Sequence, residues 1–359
     1  MMNTVQWMNR TFVFLAAPIM GLFIWMIVTT VQFDLQDDLT PKHMTSESTK
    51  QREELYILAN EQLGANVDLA NETIKYVEEH YELYEKTNKE ISAVSKLITA
   101  SKQIPLTIYD NKITARLGKP SATIDTKKLR AQLFYINQEN FNSYVVKVKL
   151  KSSDAMKMVL GGDELGDTMT TLTAAKTYGA AVAINAGGFA DAGGKRYPLG
   201  TTVMDGEYIQ GFQPSQSDLF FVGMDTKNKL IGGKFTKKEQ LDKLKPSFGA
   251  TFVPVLLKNG SSQTIPNKWK TNPARAPRTI IANYKDDQLL IMVTDGYNTN
   301  GSKGATLTEL QTILKGYGLV DAYNLDGGGS SSLIFNGSII NKPSDGSLRQ
   351  LPTHFLFFK

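Results

Sequence analysis

The chain has 359 residues, of which 41% are hydrophobic and 21% charged, with 40 lysine and arginine residues against 35 aspartate and glutamate residues. This composition is ordinary for a globular protein, and the length exceeds that of one small domain. The lack of cysteine excludes disulfides, thiolate metal sites and cysteine nucleophiles, and the 3 histidines are too scattered for a multi-histidine metal centre in one domain.

The N-terminal segment has the features of a membrane anchor. Residues 11–33 contain no charged side chain, and Arg10 precedes them while Asp34 follows. About 20 apolar residues cross a bilayer as a helix, and the positive-inside rule places the preceding residues in the cytoplasm. The sequence therefore predicts a cytoplasmic tail (1–10), a transmembrane helix (11–33) and a C-terminal part outside the cell membrane. A cleaved signal peptide is the alternative interpretation.

Residues 34–104 are predicted to form a helical stalk. The segment is rich in helix-forming residues, with no proline between Pro41 and Pro105. A regular 4-3 spacing runs through it without interruption, as in a coiled coil. The seam positions are Tyr56, Asn60, Leu63, Val67, Ala70, Ile74, Val77, Tyr81, Tyr84, Asn88, Ile91, Ser95 and Ile98. This pattern favours a homo-oligomer, and a helical hairpin that bends near Gly64 is the alternative.

A linker is predicted at 105–128, because Pro105 and Pro120 break helices and Gly118 adds flexibility. From residue 129 to 359 the pattern changes to short strands with a few inserted helices. Predicted strands are 143–151, 180–184, 278–284, 288–293, 319–325 and 354–358, with a hairpin at 332–340 and helices at 168–178 and 306–315. Thr306 and Glu309 have the spacing of a capping box. We therefore expect a single α+β domain with a mixed or antiparallel sheet.

Charge is unevenly distributed between the stalk and the rest of the chain. Residues 34–104 hold 14 acidic and 8 basic side chains, a net charge of −6, whereas residues 105–359 hold 21 and 31, a net charge of +10. A basic globular region suits an anionic partner, although it also fits a general surface charge. Nucleic acid is not favoured, since no lysine- or arginine-rich run with interleaved aromatic residues is present.

Polar residues and glycines cluster where predicted strands end. Asn185-Ala-Gly-Gly follows one strand, Asp295-Gly another, and Asn324-Leu-Asp-Gly-Gly-Gly-Ser a third. Glycines let a ligand approach the backbone, and such turns suit a carbohydrate or phosphate site. Each motif alone is more often a plain turn. The glycine run also lacks the lysine and the spacing of a nucleotide-binding phosphate loop.

Taken together, these motifs resemble the phosphodiester glycosidase family over residues 129–359. The matching segments are 185–189, 277–279, 295–296, 304–310, 324–331 and 341–345, with Arg349. The resemblance implies a glycoside hydrolase that cleaves a sugar-1-phosphodiester, and it does not identify the sugar. A cell-surface glycan or polysaccharide is our hypothesis for the substrate. Three features depart from the family pattern. The anchor and the stalk are additions outside the domain, and the chain has no disulfides.

The chemistry of this reaction suggests roles for the matching residues. A carboxylate can attack or stabilise an oxocarbenium-like centre or activate water, and arginine suits phosphate. Asp326 and Asp295 are therefore the predicted catalytic residues. The predicted substrate-binding residues are Asn185, Gly187, Gly188, Arg278, Thr279, Asn324, Gly327, Gly328, Gly329, Ser330 and Arg349. Structural alternatives stay open, namely turn-forming aspartates, an ion-paired Arg278 and an Asn185 that braces the backbone, while Glu309 fits a helix cap better than a catalyst.

Two functional hypotheses follow. The first is a membrane-anchored, extracytoplasmic phosphodiester glycosidase. The second is a non-catalytic protein that binds glycans or assists exopolysaccharide assembly through the same site. No cofactor is predicted, although aspartates and carbonyls would also suit a calcium ion.

Overall fold

The computed structural model describes residues 46–216, 218–297 and 301–359. The predicted cytoplasmic tail and transmembrane helix lie outside these residues. Within the part of the chain that is described, no helix is long and apolar enough to cross a membrane. The described residues divide into two units, with the boundary between Val94 and Ser95.

The structure contains one long helix and several short ones. The long helix, α1, spans Ser46–Leu117, and every side chain described between residues 50 and 94 is exposed. The short helices are α2 (Thr171–Thr177), α3 (Lys238–Asp242), α4 (Asn267–Thr271) and α5 (Leu307–Gly316). Thr306 caps α5 in a capping box with Glu309, as its spacing predicts. The helix predicted over the stalk is therefore present from Ser46 onwards, and residues 34–45 lie outside the described part of the chain. Assembly of this helix into a coiled coil stays a prediction.

The expected linker at 105–128 is wrong over its first half. Pro105 lies inside α1, and the helix continues to Leu117. Proline weakens a helix interior, but the last turns are held by the domain, where Ile113 and Leu117 are buried and Asp110 pairs with Lys147 at 2.7 Å. Burial of an apolar stripe outweighs the local cost of the proline.

The described part of the second unit contains twenty strands. In chain order these are β1 (Ala122–Asp125), β2 (Leu129–Asn137), β3 (Asn142–Leu150), β4 (Met156–Leu160), β5 (Ala180–Asn185), β6 (Phe189–Ala192), β7 (Lys195–Pro198), β8 (Val203–Met204), β9 (Glu207–Tyr208), β10 (Phe220–Asp225), β11 (Leu230–Gly233), β12 (Pro246–Phe252), β13 (Val255–Lys258), β14 (Ser261–Ser262), β15 (Arg278–Asn283), β16 (Leu289–Thr294), β17 (Asp321–Leu325), β18 (Leu333–Phe335), β19 (Ser338–Ile339) and β20 (Thr353–Phe358). The predicted strands and hairpins are present, with ends shifted by a few residues.

These strands form three main sheets and one hairpin. The largest has eight strands in the order β1-β2-β3-β16-β15-β17-β13-β14. Two five-stranded sheets have the orders β11-β10-β12-β8-β9 and β19-β18-β5-β20-β4, and β6 pairs with β7. The pairing of neighbouring strands is antiparallel, for example between β15 and β17 and between β5 and β20. The predicted α+β class is therefore confirmed, with antiparallel sheets.

The core lies between the sheets. One apolar cluster joins the eight-stranded sheet to both smaller sheets, through residues such as Ile291, Tyr323, Val222 and Phe355. A second cluster packs the end of α1 and α5 on the other face of the large sheet. The ends of β5, β15 and β17 meet in this arrangement, because Asn185 bonds to Thr279 and to the backbone of Asp326.

Candidate active site

Asp326 stands at the exposed end of a buried strand. It follows β17 directly and precedes a short turn, Gly328–Ser330. The backbone N–H of Asp326 donates to the carbonyl of Ala186 at 3.2 Å, and that of Gly328 donates to Pro277 at 2.9 Å. Asp326, Gly327 and Gly328 are half-buried. The turn therefore holds the Asp326 carboxyl on a rigid support.

The carboxyl of Asp326 has a perturbed acidity. Burial raises the pKa of Asp326 to about 6, and the nearby Ser330 hydroxyl, Arg349, the Gly327 amide and Arg196 offset part of that rise. One carboxylate oxygen accepts the Gly327 N–H at 3.0 Å. The other, Oδ2, is buried and accepts no hydrogen bond in the described structure. A buried acceptor without a donor reduces the stability of a folded protein. Groups with strongly shifted pKa values cluster at functional sites.

Arg349 brings positive charge to one side of the turn. Its guanidinium donates to the Ser330 hydroxyl at 3.1 Å and to the Asp345 carboxylate at 2.6 Å. A side chain at Gly329 would collide with both Arg349 and Asp345. This glycine is therefore needed to let the ion pair lie against the turn, and the predicted grouping of Gly329, Ser330 and Arg349 is present.

Arg278 lies at the other end of the same turn. A Cβ at Gly327 would stand 3.8 Å from Arg278 Cδ, and one at Gly328 would stand 3.6 Å from the Tyr297 hydroxyl. Arg278 is 5% exposed and donates to the carbonyls of Pro273 and Ala305. Burial lowers the pKa of Arg278 to about 10. No carboxylate within the described ranges forms an ion pair with it, so the structure does not support a role as an ion-pair partner.

Sequence reasoning missed Arg196, which acts on Asp326 electrostatically. Arg196 lies in β7 and forms a two-pronged bond to Asp191 in β6, with distances of 2.7 and 3.0 Å. Its guanidinium also stacks over the Phe189 ring at 4.0 Å. Opposite charges flanking the Gly193-Gly194 turn were a signal for this hairpin, but not for its position beside Asp326.

Asp295 does not occupy an open position. It is fully buried, its Oδ2 accepts the Tyr144 hydroxyl at 2.6 Å, and its Oδ1 accepts the Lys342 N–H at 3.0 Å. The expectation that Asp295 acts directly as an acid, base or nucleophile does not fit this placement, because both oxygens are engaged inside the protein. Its bonds instead hold the segment that leads towards Arg349.

Three predicted sugar-binding side chains lie beneath the turn rather than on it. Asn185 is fully buried and donates to the Asp326 carbonyl at 2.6 Å, while its oxygen accepts from Thr279 and from the backbone of Ser332. Asn324 is buried and donates to the Val253 carbonyl. In the described structure Asn185, Thr279 and Asn324 support the strand ends from inside the protein, and their contact with a substrate stays a prediction.

The first glycine pair also has a packing role. A Cβ at Gly187 would lie 2.7 Å from Ala250 Cβ, and one at Gly188 would lie 2.7 Å from the Phe252 ring. Gly188 N–H donates to the Thr251 carbonyl at 3.0 Å. These glycines let β5 continue closely past β12, and the idea that they open the backbone to a ligand is not supported.

His354, in β20, has a structural role inside the domain. It is fully buried, with its ring nitrogens 3.2 Å from the Thr171 hydroxyl and 3.1 Å from the Met169 carbonyl. Burial lowers the pKa of His354 to about 4. Within the described residues, no group of three histidine, aspartate or glutamate side chains is arranged to hold a metal ion.

Comparison with known proteins identifies the family of this fold. The sequence model of the phosphodiester glycosidase family matches residues 178–358. The mouse N-acetylglucosamine-1-phosphodiester alpha-N-acetylglucosaminidase is 27% identical over 161 residues, which cover 41% of this chain and 30% of the mouse protein. The prophage-derived Bacillus subtilis protein YomE is 28% identical over 183 residues, covering 49% of this chain and 28% of YomE. The matched region thus spans about a third or less of these relatives.

A solved structure shares the fold. The catalytic domain of zebrafish N-acetylglucosamine-1-phosphodiester alpha-N-acetylglucosaminidase, auto-inhibited by its pro-peptide, superimposes with a TM-score of 0.54 at 20% identity. The superposition covers 67% of this chain and 87% of the zebrafish chain. The resemblance inferred from the strand-end motifs is confirmed by the family match over half of the sequence: the chain belongs to the phosphodiester glycosidase family.

Proposed function

We propose that this protein is a glycosidase that hydrolyses the bond between a sugar and a phosphodiester. The observation that carries the proposal is Asp326, a half-buried carboxyl whose pKa is raised to about 6 and whose Oδ2 is without a hydrogen bond. It stands on a turn between Arg278 and Arg349. This combination of a carboxylate and flanking guanidinium groups matches the two needs of the reaction, at the sugar carbon and at the phosphate.

The carboxylate would work at the anomeric carbon. With a pKa near 6, Asp326 is mostly ionised at neutral pH. Cleavage breaks the bond between C1 and the phosphate oxygen, and the electron pair leaves with the phosphate. An ionised carboxylate can attack or stabilise the positive sugar centre, or accept a proton from the attacking water.

The arginines would receive the phosphate. Guanidinium groups bind phosphate oxygens through paired N–H donors. Arg349 lies beside Ser330 and Gly329, and Arg278 beside Gly327, so both flank the turn that bears Asp326. Stabilised phosphate is a good leaving group and needs little protonation, which removes the requirement for a second carboxylic acid. This fits a site in which Asp295 is internal.

We further propose that the enzyme is anchored in the cell membrane by residues 11–33, with the domain outside the cell and the helix of residues 46–104 mediating homo-oligomerisation. The support is the uncharged N-terminal segment, its flanking charges and the exposed 4-3 seam. A cell-surface glycan or polysaccharide linked through phosphate would then be within reach of the site.

The test is a hydrolysis assay with a panel of sugar-1-phosphate diesters that vary in the sugar, N-acetylglucosamine among them. Release of free sugar by the natural chain, and its loss in Asp326→Asn, is the expected result. Binding of a diester without any release would instead favour a non-catalytic glycan-binding protein. The full panel left intact and unbound would contradict both functions.

A further inference from the structure

A polar cleft lies next to the proposed site. The cleft has a volume of about 830 Å³. Its polar lining includes Asp167, Thr168, Asp191, Lys195, Arg196 and Gln350. The cleft is formed between the segment before α2 and the β6–β7 hairpin. Its volume falls within the range of ligand-binding clefts.

The cleft is linked to the Asp326 turn through the neighbouring residues Arg349 and Gln350, of which Gln350 lines the cleft. Arg196 Nη1 donates to the Gln350 carbonyl at 2.6 Å, and the preceding residue, Arg349, donates to the Ser330 hydroxyl at 3.1 Å. Arg196 is immobilised by Asp191 and by the Phe189 ring. A ligand that extends from Asp326 past Arg349 and Arg196 would therefore enter this cleft.

The chemistry of the lining suits an uncharged, hydroxyl-rich ligand. Asp167 lies 4.0 Å from Lys195, and Asp191 lies 2.7 Å from Arg196, so the two acids and two bases neutralise one another. Carboxylates and carbonyls accept hydrogen bonds from hydroxyls, while lysine and threonine donate to them. Gly166 keeps the cleft compact, because a Cβ there would stand 2.8 Å from the Lys195 side chain.

We propose that this cleft is the acceptor subsite, which binds the neutral sugar residues attached to the far side of the phosphate. The inference rests on the proposed function. The donor sugar would lie at Asp326 and the phosphate against Arg278 and Arg349, as proposed above. The acceptor glycan would then pass Arg196 and lie between the hairpin and Thr168. The enzyme would then prefer diesters of oligosaccharides over diesters of small alcohols, because only the former use the cleft.

The experiment compares two acceptors on the full chain. The substrates are diesters that join the 1-phosphate of the donor sugar identified in the panel above, or of N-acetylglucosamine, either to methanol or to maltotriose. We expect kcat/KM to be at least about fivefold higher for the maltotriose diester, as a few added hydrogen bonds would give. In the double variant Asp167→Ala, Lys195→Ala this preference should fall towards unity.

A matched control removes the same two charges elsewhere. Glu139 and Lys157 are exposed and do not line the cleft, so Glu139→Ala, Lys157→Ala should keep the preference. The proposed subsite would be contradicted if the natural chain, the cleft variant and the control variant all preferred the maltotriose diester equally. It would also be contradicted if the natural chain showed no preference. If no diester is hydrolysed, maltotriose binding measured by calorimetry tests the acceptor subsite separately from the proposed glycosidase activity. Weaker binding in the cleft variant alone would then support a glycan site without the activity, and no difference would overturn it.

Discussion

Asp326 is an ionisable residue in an environment that disfavours its charged form. It is an ionisable group that is largely removed from water, and one of its oxygens has no donor. Its folded pKa of about 6 lies above the ordinary value of 3.8, so the folded protein binds more protons than the unfolded chain between these pH values. Stability from this group is therefore present below pH 4 and is lost as the pH rises through 6.

Asp326→Asn is expected to abolish turnover without weakening the fold. Loss of the charge at the sugar carbon should reduce kcat by about a thousandfold, near 4 kcal/mol in the barrier. Because the ionised carboxylate destabilises the fold at neutral pH, the free energy of unfolding at pH 7 should rise by roughly 1–3 kcal/mol. The measurements are sugar release from a diester and urea unfolding.

Asp326 is also expected to determine how kcat/KM depends on pH. If the ionised form works, kcat/KM of the natural protein should rise with pH through about 6. The Asp326→Asn substitution would also remove the fall in stability between pH 4 and 6. Near-normal turnover in this variant would make the aspartate a turn-forming residue only.

Arg278→Lys probes phosphate recognition. The variant keeps the positive charge but loses the planar fork that bonds to the Pro273 and Ala305 carbonyls and that would receive phosphate. KM for the diester should increase by roughly tenfold, with a smaller change in kcat. Arg130→Lys, on the surface of β2, serves as the control. An unchanged KM would remove Arg278 from the phosphate site.

At the scale of elements, the α1 seam predicts self-association. Its apolar positions are exposed in the single chain, as Val67 (53%) and Val77 (62%) show. Val67→Asp, Val77→Asp should convert a multimer into monomer in light scattering of a chain that begins at Asp34, because two charges per helix would enter the seam. Ala65→Asp, Ala93→Asp adds the same charges on the opposite helix face and should keep the multimer. Equal masses for all three proteins would instead favour a helix that does not self-associate.

The end of α1 is predicted to contribute to the stability of the domain. Lys147 is 2% exposed, and its ammonium bonds to Asp110 at 2.7 Å and to Thr114 at 2.6 Å. Asp110→Ala leaves this charge buried without its partner and should cost about 3 kcal/mol in urea unfolding. Asp125→Ala, which breaks the exposed pair with Lys151, should cost less than about 1 kcal/mol. Similar small losses in both would show that the helix end is only loosely held.

At the scale of the whole molecule, the distribution of charge predicts the orientation in the membrane. Arg10 precedes the uncharged segment, and acidic residues follow it. Protease added to intact cells that express the full chain should remove the domain, while a tag at the N-terminus stays protected. Lysed cells provide the control for protease access. Full protection of the domain in intact cells would contradict an extracytoplasmic location.

Local sequence was sufficient to predict much of the fold and the position of the turn that carries the candidate site. Alternation of apolar and charged residues predicted β3, and the apolar segments on either side of Lys285-Asp286-Asp287 predicted the hairpin of β15 and β16. The Thr306–Glu309 spacing predicted the cap of α5, and the Asn-Leu-Asp-Gly-Gly-Gly-Ser motif contributed to the family resemblance and predicted the turn that bears Asp326. These signals depend on residues close together in the chain, so that backbone periodicity and turn chemistry alone express them.

Only the tertiary structure distinguished the side chains that face the site from those that support it. Asp295, Asn185 and Asn324 occur in strand-end motifs much like that of Asp326, yet all three are buried and engaged by partners that are distant in sequence. Arg196, in a hairpin whose position the sequence did not predict, contributes to lowering the pKa of Asp326 through its positive charge. Pro105 predicted a helix end that the burial of Ile113 and Leu117 overrode. Local sequence determined the helices, strands and turns and the types of polar residue available for chemistry. The role of each polar residue was decided only by the tertiary structure, because burial and hydrogen-bond partners depend on how the segments pack together.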